Sequence, residues 1–459
     1  MSNQIVTVNV TLSAAPAPSI LQQTGAFISQ GATTKAAQTY TLLTQMQDLT
    51  NILAAPLALT SLAWASGTVT ATTTAALPVT FESGKSYPIT IAGATPAGYN
   101  GQYLATITGT DTFTFALAVS PGTETVPGTY TVSDTLVAMA TTFFAQGSQQ
   151  SVYVLELGPG TSTVGVGDLS TFITANPNVI YSYLVPRAWD GNSAYLVFLA
   201  NYESTTSKTY FFTTTTTGTY TDYTALMKDV VALVEAPTIP LTEFSLAAPF
   251  WKSLNYNPSG TNRVTPFAFS FLYGVTAYPT VGNATLLASL KAANINWVGT
   301  GAEGGLTNTI LFWGTTADGN DFTYWYSVDW IQINLDLNIA NAIINGSNNP
   351  INPLYYNQDG INRLQDVSVA TIQTAITDGM ATGSVVRVGL DSATFLSQLD
   401  SGAFTGENVV NAIPFITYTT ANPSDYAIGK YAGLSAVYIP ARGFKQIIFN
   451  VNVTDFLTQ

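Results

Sequence analysis

Apolar and polar residues alternate most cleanly at the two ends of this chain. From Ile5 to Leu12, Val6, Val8, Val10 and Leu12 fall on one face of an extended strand, and Thr7, Asn9 and Thr11 fall on the other. Ile447 to Asp455 repeats the pattern, with Phe449, Val451 and Val453 opposite Asn450, Asn452 and Thr454. The first strand runs into Ser13 to Pro18, a Pro/Ala stretch that favours extended backbone, so it is predicted to lie on an arm. Two readings stay open for these strands. Either they pair within their own sheet, or they add to the sheets of neighbouring copies, and the linker favours donation.

Between the ends the period changes twice. From about Ser61 to Asp134, short alternating stretches (Gly67 to Thr74, Tyr87 to Ala92, Gln102 to Thr108, Thr112 to Leu117, Thr129 to Val132) are separated by turn signals such as Asn100-Gly101 and Pro127-Gly128. This predicts a small all-β module. It interrupts a different pattern, since Leu42 to Leu53 reads as helix, and a βα alternation begins at Val152 to Leu157. That alternation continues through Leu169 to Thr174, Val179 to Val185, Ala194 to Asn201, Thr209 to Thr213 and Val230 to Glu235. Apolar strands separated by helical segments predict a layered α/β body with a mainly parallel sheet. Phe267 to Val275, Ala284 to Ala293, Ile295 to Val298 and Thr309 to Trp313 extend it. Helical periodicity then runs over Phe322 to Ile344 and Ile361 to Met380, and strands follow at Ser384 to Leu390 and Leu434 to Pro440. The predicted class is α/β and α+β multidomain, a layered core with an inserted small all-β module and terminal β-strand arms. The divisions are 1–20 as N-terminal arm and linker, 21–60 with 135–315 as α/β body, 61–134 as inserted module, and 316–459 as C-terminal α+β domain ending in the arm 446–459.

Composition narrows the chemistry sharply. The 459 residues include no His and no Cys, which removes Ser-His-Asp triads, thiol nucleophiles, zinc sites built on those residues and disulfides. Charged residues make up 8% of the chain, against about 25% in ordinary soluble proteins. With 13 Lys and Arg against 26 Asp and Glu, the formal net charge of −13 speaks against gripping a phosphate backbone, so no direct nucleic-acid contact is expected. The apolar fraction is 46%, yet no run approaches the roughly 18 to 20 apolar residues of a membrane helix, so no membrane insertion is expected. Residues 1 to 20 lack a signal-peptide pattern, which leads us to expect synthesis and folding in a cytoplasm.

The motifs with possible chemistry each meet a plainer account. Gly299-Thr300-Gly301-Ala302-Glu303-Gly304 matches the dinucleotide fingerprint, but Leu306 to Trp313 after it is strand-like and supplies no helix N-terminus for a pyrophosphate. Gly158-Pro159-Gly160 lacks the rest of a phosphate loop. Asp318-Gly319-Asn320-Asp321 lacks the ligand spacing of a calcium loop and reads as a turn. Asp329 and Asp336 share a face of the predicted helix and could pair as glycosidase carboxylates; without a companion groove signal they read as a solvated or interface face. Phe322, Tyr324, Trp325, Tyr326 and Trp330 read as core rather than as a sugar-stacking platform. Asn-x-Ser/Thr sites at Asn9, Asn283, Asn345 and Asn452 would matter only in a secretory pathway. No catalytic residue, metal or cofactor is expected. A surface with so little charge favours ordered packing against copies of itself.

Several segments resemble the sheath proteins of contractile bacteriophage tails. The opening Ile5 to Ser13, followed by Pro/Ala and Thr24-Gly25-Ala26-Phe27-Ile28, looks like that family's N-terminal arm entering its first domain. Asp318-Gly319 to Gln332, Asn352-Pro353-Leu354-Tyr355-Tyr356, and Asp359-Gly360-Ile361 with the helix to Gly379 are similar to its C-terminal domain. Tyr438 to Phe444 and Ile447 to Val453 look like its last strands. The resemblance implies a non-enzymatic virion subunit that polymerises around a tail tube and contracts to drive the tube through the host envelope. Its implied partners are copies of itself as a homo-oligomer, the tail tube protein, and baseplate and tail terminator proteins. The inserted module would face outward. Val6, Val8, Val10, Leu12, Phe449, Val451 and Val453 would be inter-subunit arm contacts, Asp329 and Asp336 would face the tube, and Ser13 to Ser19 and Ala441 to Gly443 would be hinges. A surface-layer or adhesin-type protein is the main alternative and would need an export signal. A carboxylate-based tail-associated glycoside hydrolase is the other, and would need Asp329 or Asp336 for hydrolysis.

Overall fold

The computed structural model describes residues 21–446 apart from 148–149, 203–207, 225, 227, 281–282 and 302–307. The fold is mixed α/β and α+β and multidomain, with eleven α-helices among the described residues. It divides into two compact units, one of residues 21–326 with the returning C-terminal segment from Ala441, the other of residues 327–440.

The larger unit begins with β1 (Gly25–Ser29), β2 (Thr39–Leu43) and the one-turn α1 (Met46–Thr50). The stretch read as helix from Leu42 is thus mostly strand and turn, because Asp48 folds back to accept from the Thr44 and Gln45 backbone N–H groups. Next come β3 (Leu57–Ala65), β4 (Thr68–Thr73), β5 (Ser86–Ala92), β6 (Gly101–Ile107), β7 (Thr112–Ala116) and β8 (Thr129–Tyr130). These close into a barrel in the order β3-β4-β7-β6-β5-β8, all neighbours antiparallel. Closure leaves no sheet edge to protect. The inward positions of the alternating strands fill it, among them Val69, Ala71, Ile89, Ile91, Phe113 and Tyr130.

After the barrel the chain continues through α2 (Asp134–Ala145), β9 (Val152–Glu156), α3 (Ser162–Ala175), β10 (Ser182–Leu184), α4 (Ser193–Asn201), β11 (Tyr210–Thr215), β12 (Val230–Val234) and α5 (Ala247–Leu254). The six-stranded sheet runs β12-β11-β10-β1-β9-β2, parallel except for β2 at its edge. Apart from the edge strand β2, where Tyr40 and Leu42 are exposed, its strands are buried on both faces, as helices on either side require. On one side Phe27, Phe143, Phe250 and Phe212 pack together, with ring centroids 5.4 Å apart for Phe27–Phe143 and 5.1 Å for Phe212–Phe250. On the other, Ile28 and Leu155 meet Val166, Leu169 and Phe172 of α3 and Leu199 of α4.

One buried carboxylate ties the C-terminal ends of β1 and β9. Glu156 accepts from Ser29 Oγ (2.7 Å), Gly31 N (2.6 Å), Thr33 Oγ1 (2.7 Å) and Gly158 N (2.8 Å). A buried charge needs such a set of donors. It also accounts for Gly158-Pro159-Gly160, a turn whose Gly158 has φ +90° and which leads to Thr161, the N-cap of α3. The unit continues with α6 (Ala284–Ala292) and the hairpin β13 (Trp297–Thr300) and β14 (Thr309–Phe312). Phe267–Val275 forms no strand and makes only an isolated bridge from Phe271 to Ile310. Gly299 lies in β13, where a Cβ would fall 2.6 Å from the Phe312 ring, so it serves packing rather than a nucleotide.

Helix α7 (Phe322–Ser347) passes from the larger unit into the smaller. The smaller then contains α8 (Gln358–Thr377), β15 (Ser384–Val388), α9 (Ser392–Asp400), β16 (Glu407–Ala412), α10 (Phe415–Ala421), α11 (Pro423–Ala427) and β17 (Leu434–Val437). Its sheet has the order β15-β16-β17, the first pair parallel and the second antiparallel.

Candidate assembly edges and the C-terminal clasp

The arm residues Val6, Val8, Val10, Leu12, Phe449, Val451 and Val453 lie outside the described residues. What the structure does describe is a three-stranded sheet with open edges and the segment that precedes residue 447.

This sheet is held from its middle. Strand β16 is Glu-Asn-Val-Val-Asn-Ala, with every residue after Glu407 buried. Asn408 Nδ2 donates to the carbonyls of Thr382 (2.9 Å) and Ser384 (3.1 Å), and its Oδ1 accepts from Ile439 N (2.8 Å). Asn411 exchanges two bonds with the Leu390 backbone, at 2.8 and 3.0 Å. From α8, Gln365 Nε2 reaches the carbonyls of Val388 (2.7 Å) and Val410 (2.9 Å), while its Oε1 accepts from Arg387 Nε (2.6 Å). Arg387 also pairs with Asp366. These side chains fix the sheet through its central strand and one covering helix. Among the described residues no strand pairs the outer side of β15 or of β17. Such edges present unpaired backbone N–H and C=O groups and are templates for strand addition. Sequence reading found the two edge strands and missed the central one. The signal it passed over was Asn-Val-Val-Asn, two polar amides bracketing a β-branched pair, which marks a strand with both faces covered.

The C-terminal segment is anchored where a hinge was expected. Leaving β17, the chain bridges from Pro440 to Ala381 and then joins the larger unit. There the Arg442 guanidinium stacks 4.2 Å from the Tyr324 ring centroid and donates to Asn320 Oδ1 at 3.2 Å. Gly443 N donates to Asp321 Oδ2 (3.0 Å), close enough to Pro266 that a Cβ would meet it at 2.7 Å. Lys445 Nζ donates to Gly319 O (2.7 Å) and pairs with Asp321 (3.2 Å). Ala441 to Gly443 is therefore not a loose hinge: polar contacts converge on it from the Asp318–Asp321 turn.

That turn is built from its own side chains. Asp318 accepts from Thr316 Oγ1 (2.5 Å), Asn320 N (3.0 Å) and Trp325 Nε1 (2.9 Å). Loss of water around Asp318 disfavours its charge, but these hydrogen bonds outweigh that and hold its carboxyl below the usual carboxylate range. Gly319 supplies the φ of +85° the turn requires. Among the described residues no cluster of acidic side chains could hold a metal ion, and no helix is long and apolar enough to cross a membrane.

Of the aromatic cluster, Phe322 and Tyr326 are core residues. Phe322 packs against Phe267 at 4.9 Å, and Tyr326 against Tyr256 at 4.9 Å. The two aspartates do not share an environment, since Asp329 is 0% exposed while Asp336 is exposed. The seven-residue spacing does not set them as a pair of surface carboxylates.

No protein-family model and no curated protein matches this chain. In fold it is similar to a chain in the cryo-EM structure of the anti-feeding prophage (AFP) baseplate, 6-fold symmetrised. The TM-score is 0.53, with 13% sequence identity, covering 99% of this chain and 100% of that one. The likeness therefore spans both units rather than one shared module.

Proposed function

We propose that this protein is a non-enzymatic structural subunit of a contractile, phage-like tail machine, and within it the subunit of the sheath. The observation that carries the reading is the sheet β15-β16-β17, with two outer edges, in a chain whose sequence places one amphipathic strand at each end. Two donated strands match two receiving edges. Main-chain ladders of this kind suit a lattice whose bodies rotate, because the hydrogen bonds travel with the strands they join. The whole-length fold likeness to a chain of the anti-feeding prophage baseplate supports the setting. Exposed apolar side chains of the smaller unit, Ile344, Ile351, Tyr355, Ile416 and Ile428, suit it to contacts with copies of itself, the tube or the baseplate. If the smaller unit lines a tube, Asp336 rather than Asp329 is the carboxylate available to it. In this reading the protein resides in the tail of a particle.

The test is negative-stain electron microscopy of the full-length chain beside chains lacking residues 1–16 or 446–459. Hollow ordered tubes are expected from the full-length chain, alone or on added tail tube, and none from either truncation although both stay folded. Intact tubes from a truncated chain would overturn the strand-donation account. A second reading, a baseplate subunit, is favoured by the identity of the similar structure; it calls for closed rings of fixed size and no elongating tubes.

A further inference from the structure

Cations are scarce in this chain, 13 in all, and five of them pair with carboxylates. Lys85 pairs with Glu82, Arg187 with Glu235, Arg387 with Asp366, Lys430 with Asp425 and Lys445 with Asp321. Two others converge on one cleft instead. Lys252, in the last turn of α5, and Arg263, in the loop beyond it, line a cavity of about 360 Å³ at the start of β1 and β9. Among the described residues no Asp or Glu lines it. Neither cation makes an ion pair among the described residues, and the Lys252 ammonium lies over the Tyr256 ring, 5.6 Å from its centroid. Burial pulls the Lys252 ammonium below its ordinary pKa, a cost that a bound anion would offset.

Amides fixed in place share the remaining wall with Leu254, Tyr256 and Thr265. Gln150 Nε2 donates to Gln23 O (3.1 Å), Gln23 Nε2 to Tyr256 O (3.2 Å), and Asn262 Nδ2 to Asn257 O (2.7 Å). Two positive groups and pre-oriented amides in a concave site of this size form a receptor for a negatively charged group with several acceptor oxygens.

The occupant is not the chain's own N-terminal segment, although that segment enters the fold two residues before Gln23, because residues 1–20 contain no charged side chain. Carboxylates, by contrast, outnumber cations 26 to 13 on every copy. We propose that this cleft is a socket for an acidic side chain of a neighbouring subunit, held between Lys252 and Arg263. The socket rests on the reading of this chain as part of an assembly, but its test does not require assembly and is scored apart from tube formation.

The test measures acylation of Lys252 in the full-length soluble chain by mass spectrometry, with triglutamate, triglutamine or inorganic phosphate added at millimolar concentration. Triglutamate is expected to slow Lys252 about threefold, as two-thirds occupancy of a millimolar site requires, while exposed Lys35 reacts at an unchanged rate. In the Arg263→Ala chain, whose altered side chain is exposed, the protection should vanish. Equal rates with triglutamate and triglutamine, protection by phosphate alone, or protection that survives Arg263→Ala would each overturn the proposal.

Discussion

Asn408 and Asp318 each organise more backbone than their size suggests. Replacing Asn408 by alanine leaves two carbonyls and one N–H at the ends of β15 and β17 without their partner. The expected loss is about 3 kcal/mol, from three hydrogen bonds each worth about 1 kcal/mol net, read as an earlier urea transition of the smaller unit. Asp318 predicts a pH dependence. Its folded pKa is depressed, so its contribution is complete above the ordinary carboxylate pKa of about 3.9 and fades as pH falls through the lower folded value. The emission of Trp325, taken as the difference between wild type and Trp325→Phe, should hold steady from neutral pH down to about 4 and change only below it. In Asp318→Ala that acid step should disappear. The sequence marked Asp318 to Asp321 as a turn because Asp, Gly and Asn have local reasons to form one. It could not show that the turn grips Arg442 and Lys445, since partners more than a hundred residues away leave no local pattern.

Elements were legible in proportion to how unevenly their two faces are exposed. The barrel strands alternate, one side in the core and one toward solvent, and were read within a residue or two from β4 to β8. The first barrel strand, Leu57–Ala65, escaped notice because an irregularity in its pairing between Leu59 and Ser61 breaks the alternation. Strands β1 and β16 are covered on both faces, so neither shows period two. Helix α3 was read only from Leu169 because Gly165 and Gly167 weaken its first turns in propensity. A Cβ at Gly165 would nonetheless lie 2.3 Å from Gln30 Nε2 and 2.9 Å from the Trp189 ring, so a side chain there would have to displace both. Barrel closure supplies the prediction at this scale. Gly128 precedes β8 with φ +75°, and a Cβ would fall 2.3 Å from Ala92 O. Gly128→Ala should destabilise the barrel by roughly 2 kcal/mol or more, seen as faster hydrogen exchange across β3, β5 and β8 while the six-stranded sheet keeps its protection.

At the scale of the whole molecule, the absence of His and Cys and the low charge lead to the expectation of an assembly subunit rather than a catalyst, and those properties are sums that need no structure to read. The path of the chain was not legible in the same way. Residues 327–440 leave the larger unit inside helix α7 and return to it at Ala441, where the Asp321 clasp takes hold. Asp321→Ala should release that segment, so that trypsin cuts after Arg442 and Lys445 several-fold sooner while both units keep their own unfolding transitions. Equal cleavage rates would show that the clasp does not hold the segment. The same path gives the molecule redundancy under load. A chain of beads parts at its weakest link, but a unit moored at both of its ends does not: cutting the backbone at Ala441 leaves the continuous helix, and cutting it within the helix leaves the clasp. Two independent failures are needed to lose the unit.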